Sequence, residues 1–559
     1  MINLNANCSS TITEETRFRK GVFMSHHNMQ PDTTKWPIAD QIGQLLMVGF
    51  AGKTPTPEII DLIENGRVGG IVFFSRNIGT ARDVLDLTSR LQTIARDSGH
   101  QVPLLIAIDQ ENGVVQRLQG GITTFPGNMA QGAIDDAETT RAIAAATGKE
   151  LAALGITMNL APDIDINNNP ANPVIGVRSF GENPASVARL GAAAVAGYQS
   201  VGVVSSVKHF PGHGDTATDS HLGLPVVPFD RARLDAVELV PFRACIAADA
   251  ATVMIAHVAL PALTGDATLP ATLSRVIIHD LLRVELGFNN VIISDCVEMS
   301  AVADGVGSAQ GALMTLQAGS DIALVSHTYA RQKDSVQLIH AAVADGLYPQ
   351  EDLRAACARV VALKARFMSW ETLPDPHNQP RVHVLAHQSL SKASYARAVT
   401  LVRDDAHIIP IYRQPDKRVL VIAPALGHVT MAVDLAFDPQ IFVDVLRENL
   451  LHVDLLTLPL HPTTEDIATL TTAAHEATIT ILLTVNADRD PRQASLMQAL
   501  IDMGHPLIGI AAYNPYDIHA FPQLGTYLAT YEYTAGALRA AANVIMGSKV
   551  AVGKLPVAL

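Results

Sequence analysis

The segment KHFPGHGDTATDSH, from Lys208 to His221, holds three His, two Asp and one Lys within fourteen residues. It follows the apolar run GVVSSVKHF that starts at Gly202, and Pro211, Gly212 and Gly214 then force an irregular loop. Asp219 and His221 stand two apart, close enough in a turn for the carboxylate to accept a proton from one ring nitrogen. Such a bond fixes the imidazole tautomer and raises its basicity, which makes His221 a general acid usable near neutral pH. The glycines predict a mobile loop that closes over a bound substrate. Two other readings stay open on these residues alone. His209, His213, Asp215, Asp219 and His221 could supply metal ligands, although no HExxH-like spacing fixes them on one face. The loop could also be polar and purely structural.

A second candidate lies in VIISDCVEMSAV, where a buried run ends in Ser294–Asp295. A carboxylate at a strand end can act as a covalent nucleophile. Glu298 competes for that role but already belongs to the following loop or helix, and Asp295 could instead be the N-cap of that helix. Cys296 reads as a packed thiol.

These groups need a frame. Short apolar runs recur between Ala-rich amphipathic segments: QLLMVGF at Gln44, GGIVFF at Gly69, PLLIAID at Pro103, GITMNLAPDIDI at Gly155, GVVSSVKHF at Gly202, ATVMIAHVAL at Ala251, NNVIISD at Asn289 and SDIALVS at Ser320. Near-continuous apolar strands alternating with helices imply a parallel sheet covered by helices. Eight of them before about residue 330 predict an α/β fold of the (β/α)8 barrel type. Asp109, Asp163, Lys208, His209, His257 and Asp295 fall at the C-terminal ends of these runs, where a barrel gathers its chemistry.

The Pro- and His-containing stretch ETLPDPHNQP at Glu371 breaks the pattern, and a second α/β pattern follows. Its strands are KRVLVIAP at Lys417, VDLLTLP at Val453, ATITILLTV at Ala477 and PLIGIAA at Pro506, closed by the helix TAGALRAAANVIMG. The predicted organisation is a disordered leader over 1–35, a catalytic barrel over 36–370, a linker over 371–390 and a smaller three-layer α/β/α sandwich domain over 391–559. No GxGxxG turn follows the first strand of that domain, which leaves a dinucleotide site unsupported.

The charge balance of 40 basic against 54 acidic side chains gives −14, with no basic block, which argues against nucleic acid and anionic membranes as partners. Cys8, Cys245, Cys296 and Cys357 show no CxxC pair or disulfide ladder and read as free thiols of a reducing compartment. The first forty residues lack the apolar run of a signal peptide, and no stretch of about twenty apolar residues suggests a membrane span. A cytoplasmic location is expected, with Met24 as an alternative start.

Taken together, KHFPGHGDTATDSHLGLP and IISDCVEMSA resemble the signature segments of family 3 glycoside hydrolases, in their β-N-acetylglucosaminidase branch. The similarity extends over nearly the whole chain, including AAYNPYD and the closing GKLPV. It implies Asp295 as nucleophile, His221 as acid/base and Asp219 as the residue that orients it. The segment AIDQENGVVQRL resembles a D-x-E-G-G-x-V-x-R motif, which implies sugar-binding roles for Asp109 and Arg117. Likewise PVIGVRSFGENP implies one for Arg178, and the opening of the loop motif implies them for Lys208 and His209. Structural salt bridging remains the alternative for both arginines. Asn112 departs from the pattern, standing at one of the two Gly positions of that motif. If that position needs positive φ, Asn is the substitute that tolerates it best.

The implied activity is exo-acting hydrolysis of terminal β-linked N-acetylglucosamine by double displacement with retention, without cofactor or metal, on an oligosaccharide such as a peptidoglycan fragment. Two alternatives remain: a β-N-acetylglucosaminide phosphorylase on the same scaffold, and a non-catalytic saccharide-binding protein. Neutral His repels phosphate less than a carboxylate would, which keeps phosphorolysis open.

Overall fold

In the computed structural model, the described residues are 32–559 except 221–222, 427–428, 431–432 and 434. Cys8, Met24 and the catalytic expectation for His221 therefore lie outside the described residues. Of the stretch assigned to the leader, Thr33–Lys35 forms a short turn.

Eight parallel strands close into a barrel: β1 (Leu46–Val48), β2 (Gly70–Phe73), β3 (Leu105–Ile108), β4 (Met158–Asn159), β5 (Val204–Phe210), β6 (Thr252–Ile255), β7 (Val291–Cys296) and β8 (Ile322–Val325). Each falls within one of the eight apolar runs, save that β7 runs one residue past its own to Cys296, and β8 returns to pair with β1. Alternation along the strands makes two layers. Met47, Val72, Leu105, Ala107, Val204 and Ile293 fill the barrel interior. Val48, Ile71, Phe73, Ile106 and Ile108 face the surrounding helices. Phe210 on β5 pairs with Ile255 on β6, and Ile255 pairs with Ser294 on β7. That register sets Lys208–His209 and Asp295 at one end of the barrel, two strands apart, roughly 10 Å along the wall at normal strand spacing.

The second sheet has six strands: β9 (Thr400–Asp404), β10 (Arg418–Pro424), β11 (His452–Leu458), β12 (Ile479–Thr484), β13 (Leu507–Ala511) and β14 (Thr526–Ala529), in the order β9-β14-β13-β12-β10-β11. Only β9 runs antiparallel to its neighbour. The strands β9 and β14 were not expected from the sequence. Val419, Val421, Ile481, Ile508 and Ile510 pack on helices through Phe442, Leu446 and Leu538. On the opposite face Leu420, Ile422 and Leu482 meet Leu470, Leu496 and Leu500. Period-two alternation thus builds the three layers.

This second core does not stop at the domain boundary, because Val114, Val115, Met129, Ala133 and Val177 of the barrel belong to it. The helix Leu385–Ala398 begins inside the stretch read as linker and buries Ser394, Tyr395 and Ala398. Among the described residues no helix is long and apolar enough to cross a membrane.

Candidate active site

A cavity of about 360 Å³ opens at the C-terminal end of the barrel strands. Asp109, Arg117, Arg178, Lys208, His209 and Asp295 all line it. These six come from four barrel strand ends or the loops after them, with Arg178 delivered by a turn over Gly176–Arg178. Gly176 sits at φ +46°, and a Cβ there would stand 2.9 Å from the Asn514 side chain, so glycine is what the close approach of the second domain requires.

One wall is a network of charges. Lys208 Nζ donates to Asp109 Oδ1 and Glu111 Oε1, both at 2.7 Å. Arg178 grips Glu111 with two prongs, Nε to Oε2 at 2.9 Å and NH2 to Oε1 at 2.8 Å. Arg117 NH2 lies 3.8 Å from Asp109 Oδ2. Burial disfavours charge on Glu111, but Arg178 and Lys208 outweigh it and hold the carboxylate well below its usual range. Lys208 is likewise penalised by burial, yet Asp109 and Glu111 keep its pKa above normal. Glu111 and Lys208 therefore keep their charges near neutral pH, and the network presents both acceptors and donors to a polyhydroxylated ligand.

Beneath it, His209 Nδ1 lies 2.7 Å from Asp165 Oδ2, and its Nε2 is 3.4 Å from Arg178 NH2. A guanidinium can only donate, so Nε2 is the accepting nitrogen and the proton on Nδ1 goes to Asp165. Burial opposes charge on Asp165, but His209 draws its pKa down. Burial and the neighbouring Asp165 charge push the Asp163 carboxyl well above its usual range. It sits 3.5 Å from Arg178 NH2, below the cavity rather than on it. His257 is also off the cavity: it is fully buried, bonded to Thr272 Oγ1 at 2.6 Å and to the Cys296 carbonyl at 2.8 Å. Its place in the fold is to brace the end of β7.

Asp295 is partly exposed to the cavity, and its Oδ1 accepts the Cys296 N–H at 2.7 Å. Glu298, the competitor, points elsewhere. Its carboxylate accepts the backbone N–H groups of His327 and Thr328, and it does not line the cavity. Cys296 is packed, with Sγ 2.9 Å from Ser326 Oγ, and burial pushes its pKa up to about 11. Asp219 is buried, and Ser220 beside it lines the cavity.

The glycines of the loop are closely packed. Gly214 lies against the backbone of Ile166, where a Cβ would come within 1.8 Å of the carbonyl oxygen, and Gly212 packs on Glu238. That packing requires glycine at both positions. His213 is tied at both nitrogens, to Thr216 Oγ1 at 2.8 Å and Ser220 Oγ at 3.1 Å, and burial lowers its pKa to about 4. Asp215 faces Arg233 at 3.4 Å. Of the five candidate metal ligands His221 lies outside the described residues, and no three of His209, His213, Asp215 and Asp219 converge. Among the described residues a different trio, Asp163, Asp165 and His209, has ligand atoms within 4.8 Å of one another. Arg178 already supplies a cation there, and the His209–Asp165 bond uses one of the donor pairs.

Glu111, Asp165 and Asn128 were not singled out in the sequence. Glu111 and Asp165 each stand two residues after a carboxylate that was, Asp109 and Asp163, and that spacing is the signal that could have found them. Asn128 Nδ2 donates to the carbonyls of Arg178 and Asp163, at 2.6 and 3.1 Å, and carried no such signal.

The comparisons agree with this geometry. The family model "Glycosyl hydrolase family 3 N terminal domain" matches residues 37–363, which contain the whole barrel. The chain belongs to glycosyl hydrolase family 3. It is 32% identical to "Beta-hexosaminidase A" of Pseudoalteromonas piscicida, over 93% of this chain and 96% of that one. A solved family 3 β-N-acetylglucosaminidase from Paenibacillus sp. str. FPU-7 superposes with a TM-score of 0.87 at 40% identity, over 94% of this chain and 99% of that one. A fungal multi-domain family 3 β-N-acetylglucosaminidase superposes with a TM-score of 0.88 at 41% identity, covering 93% of this chain. The chain spans 60% of the length of that fungal protein.

Proposed function

We propose that this family 3 enzyme is a retaining, exo-acting β-N-acetylglucosaminidase, with Asp295 as nucleophile, His221 as acid/base and Asp219 orienting His221. The observation that carries the reading is the shared cavity: a polar wall of Asp109, Lys208, Arg178 and Arg117 on one side and the Asp295 carboxylate at the end of β7 on the other. The wall fits the hydroxyls of one terminal sugar, and the carboxylate fits attack on its anomeric carbon. The similar proteins named for β-hexosaminidase and β-N-acetylglucosaminidase activity support the choice of sugar.

In the first step Asp295 attacks the anomeric carbon while protonated His221 gives its proton to the leaving oxygen. In the second, neutral His221 takes a proton from water, and the water displaces the Asp295 ester with net retention. Lys208, Arg178 and His209 bind and orient, held in place by Glu111 and Asp165. Peptidoglycan fragments are the proposed source of substrate. A reducing compartment, the cytoplasm, is the proposed location. The described cysteines support it, since Cys245, Cys296 and Cys357 are buried free thiols.

The test is release of chromophore from an aryl β-N-acetylglucosaminide and from the matching glucoside, with and without inorganic phosphate. Turnover confined to the N-acetylglucosaminide and indifferent to phosphate is expected. Turnover that requires phosphate would make the enzyme a phosphorylase, and equal efficiency on the glucoside would contradict the sugar assignment.

A further inference from the structure

The chemistry above lies in the barrel, yet the second domain reaches toward it. Loops at the C-terminal ends of β12 and β13 close on the barrel segment 167–172. Asn167 Nδ2 donates to Tyr516 OH at 3.0 Å. Arg489 NH1 donates to the Asn172 carbonyl at 3.3 Å, and its NH2 to the Pro170 carbonyl. Asp488 holds the guanidinium from behind, 3.5 Å from Nε.

The residue gripped in this way is a hub. Asn172 is 2% exposed, and its Nδ2 donates to the carbonyls of His213 and Gly214, both at 2.9 Å, and to Thr216 Oγ1 at 3.3 Å. Its Oδ1 accepts the N–H groups of Val174 and Ile175, at 2.9 and 2.8 Å. An amide offers donors at one end and an acceptor at the other, which lets one side chain tie two loops with no charge to bury. One of those loops leads to Asp219, the other to Arg178.

We propose that Arg489 is a positioning residue, through which the second domain sets the Asp219-bearing loop by way of Asn172. A rigid clamp on the 170–172 backbone fixes the Asn172 side chain, and that side chain fixes the start of the loop. The proposal rests on the assignment of the Asp219–His221 pair as the proton-donating unit.

A misplaced proton donor costs rate where the leaving group needs protonation and little where it does not. Arg489→Ala should therefore lower kcat/KM by about tenfold to a hundredfold on N-acetylglucosaminides with a poor leaving group, the scale of a sub-ångström to one-ångström displacement. On an activated aryl substrate the loss in kcat/KM should stay within about threefold, while kcat and KM fall together because the same group is the base of the water step. Arg489→Lys should restore part of the loss. Asn172→Asp should show the same signature without touching the domain seam, because it keeps the acceptor for Val174 and Ile175 and sets a carboxylate against two carbonyls. Arg492→Ala, whose guanidinium bonds Asp490 and the Leu460 carbonyl within the second domain, should leave kinetics unchanged. Melting temperatures are recorded for all variants. Equal losses on good and poor leaving groups in both Arg489→Ala and Asn172→Asp, while His221→Ala retains leaving-group dependence, would overturn the proposal. Absence of that dependence in His221→Ala would overturn the proton-donor assignment first, and this proposal with it.

Discussion

Arg178 and Glu111 meet in a two-pronged ion pair, 2.8 and 2.9 Å, with side chains only 6% and 3% exposed. The pair sets the plane of the guanidinium that faces the cavity, and Lys208 shares the same carboxylate. Glu111 is thus the keystone of the charged wall of the cavity although it was not among the residues expected there.

Replacing Glu111 by Gln keeps the shape and removes the charge. Breaking a buried pair on one side leaves the other charge uncompensated, at a cost of about 3–5 kcal/mol. The expected outcome is a clear fall in melting temperature together with a raised KM, measured by thermal unfolding and steady-state kinetics. Unchanged values for both would show that Arg178 is held by other groups.

Asn112 adopts φ +71° and is followed by Gly113 at φ +61°. Asn is among the few non-glycine residues that accept this region, and its side chain also reaches Thr147 Oγ1 at 3.2 Å. Asn112→Gly should change stability by less than about 1 kcal/mol, whereas Asn112→Val should destabilise by about 1–3 kcal/mol through backbone strain. Denaturant unfolding of the two variants checks the difference.

At the opposite end of the barrel Lys364 is wholly buried, donating to Gln44 Oε1 at 2.6 Å and the Gly69 carbonyl at 2.8 Å. Burial lowers its pKa from 10.5 to about 7. The unfolded chain then binds more protons than the folded one between about pH 7 and 10.5, so stability rises with pH in that window. Below about pH 7 the ammonium must stay charged inside the fold, and its contribution is least favourable there. Lys364→Met should remove a positive slope on the order of 1 kcal/mol per pH unit from the stability profile. An unaltered slope in urea titrations at several pH values would mean that Lys364 titrates normally.

Much of this was legible from the sequence because the barrel strands are short, apolar and set between amphipathic stretches, and because strand ends place Lys208, His209 and Asp295 by period alone. The terminal strands β9 and β14 escaped notice because Thr400–Asp404 carries Arg403 and Asp404 and is only partly buried, while Thr526–Ala529 has just four residues. The site was read through its charged tips. The residues that hold those tips, Glu111, Asp165 and Asn172, act through contacts made 41 to 67 positions away. Nothing in local spacing separates such residues from ordinary polar ones. The packing of Gly214 was hidden for a related reason: it answers to the Ile166 backbone, a partner invisible in the loop's own sequence.

The central claim, that Asp295 forms a covalent bond to the sugar, has a direct test. In His221→Ala an activated aryl N-acetylglucosaminide should still form the glycosyl-enzyme, because its leaving group needs little protonation, while hydrolysis slows for want of a base. Rapid quenching and peptide mass analysis should then find one N-acetylglucosaminyl group on the peptide that spans Val291–Cys296, attached at Asp295. A modified Glu298, or turnover in which no sugar ever becomes attached to the protein, would contradict the account.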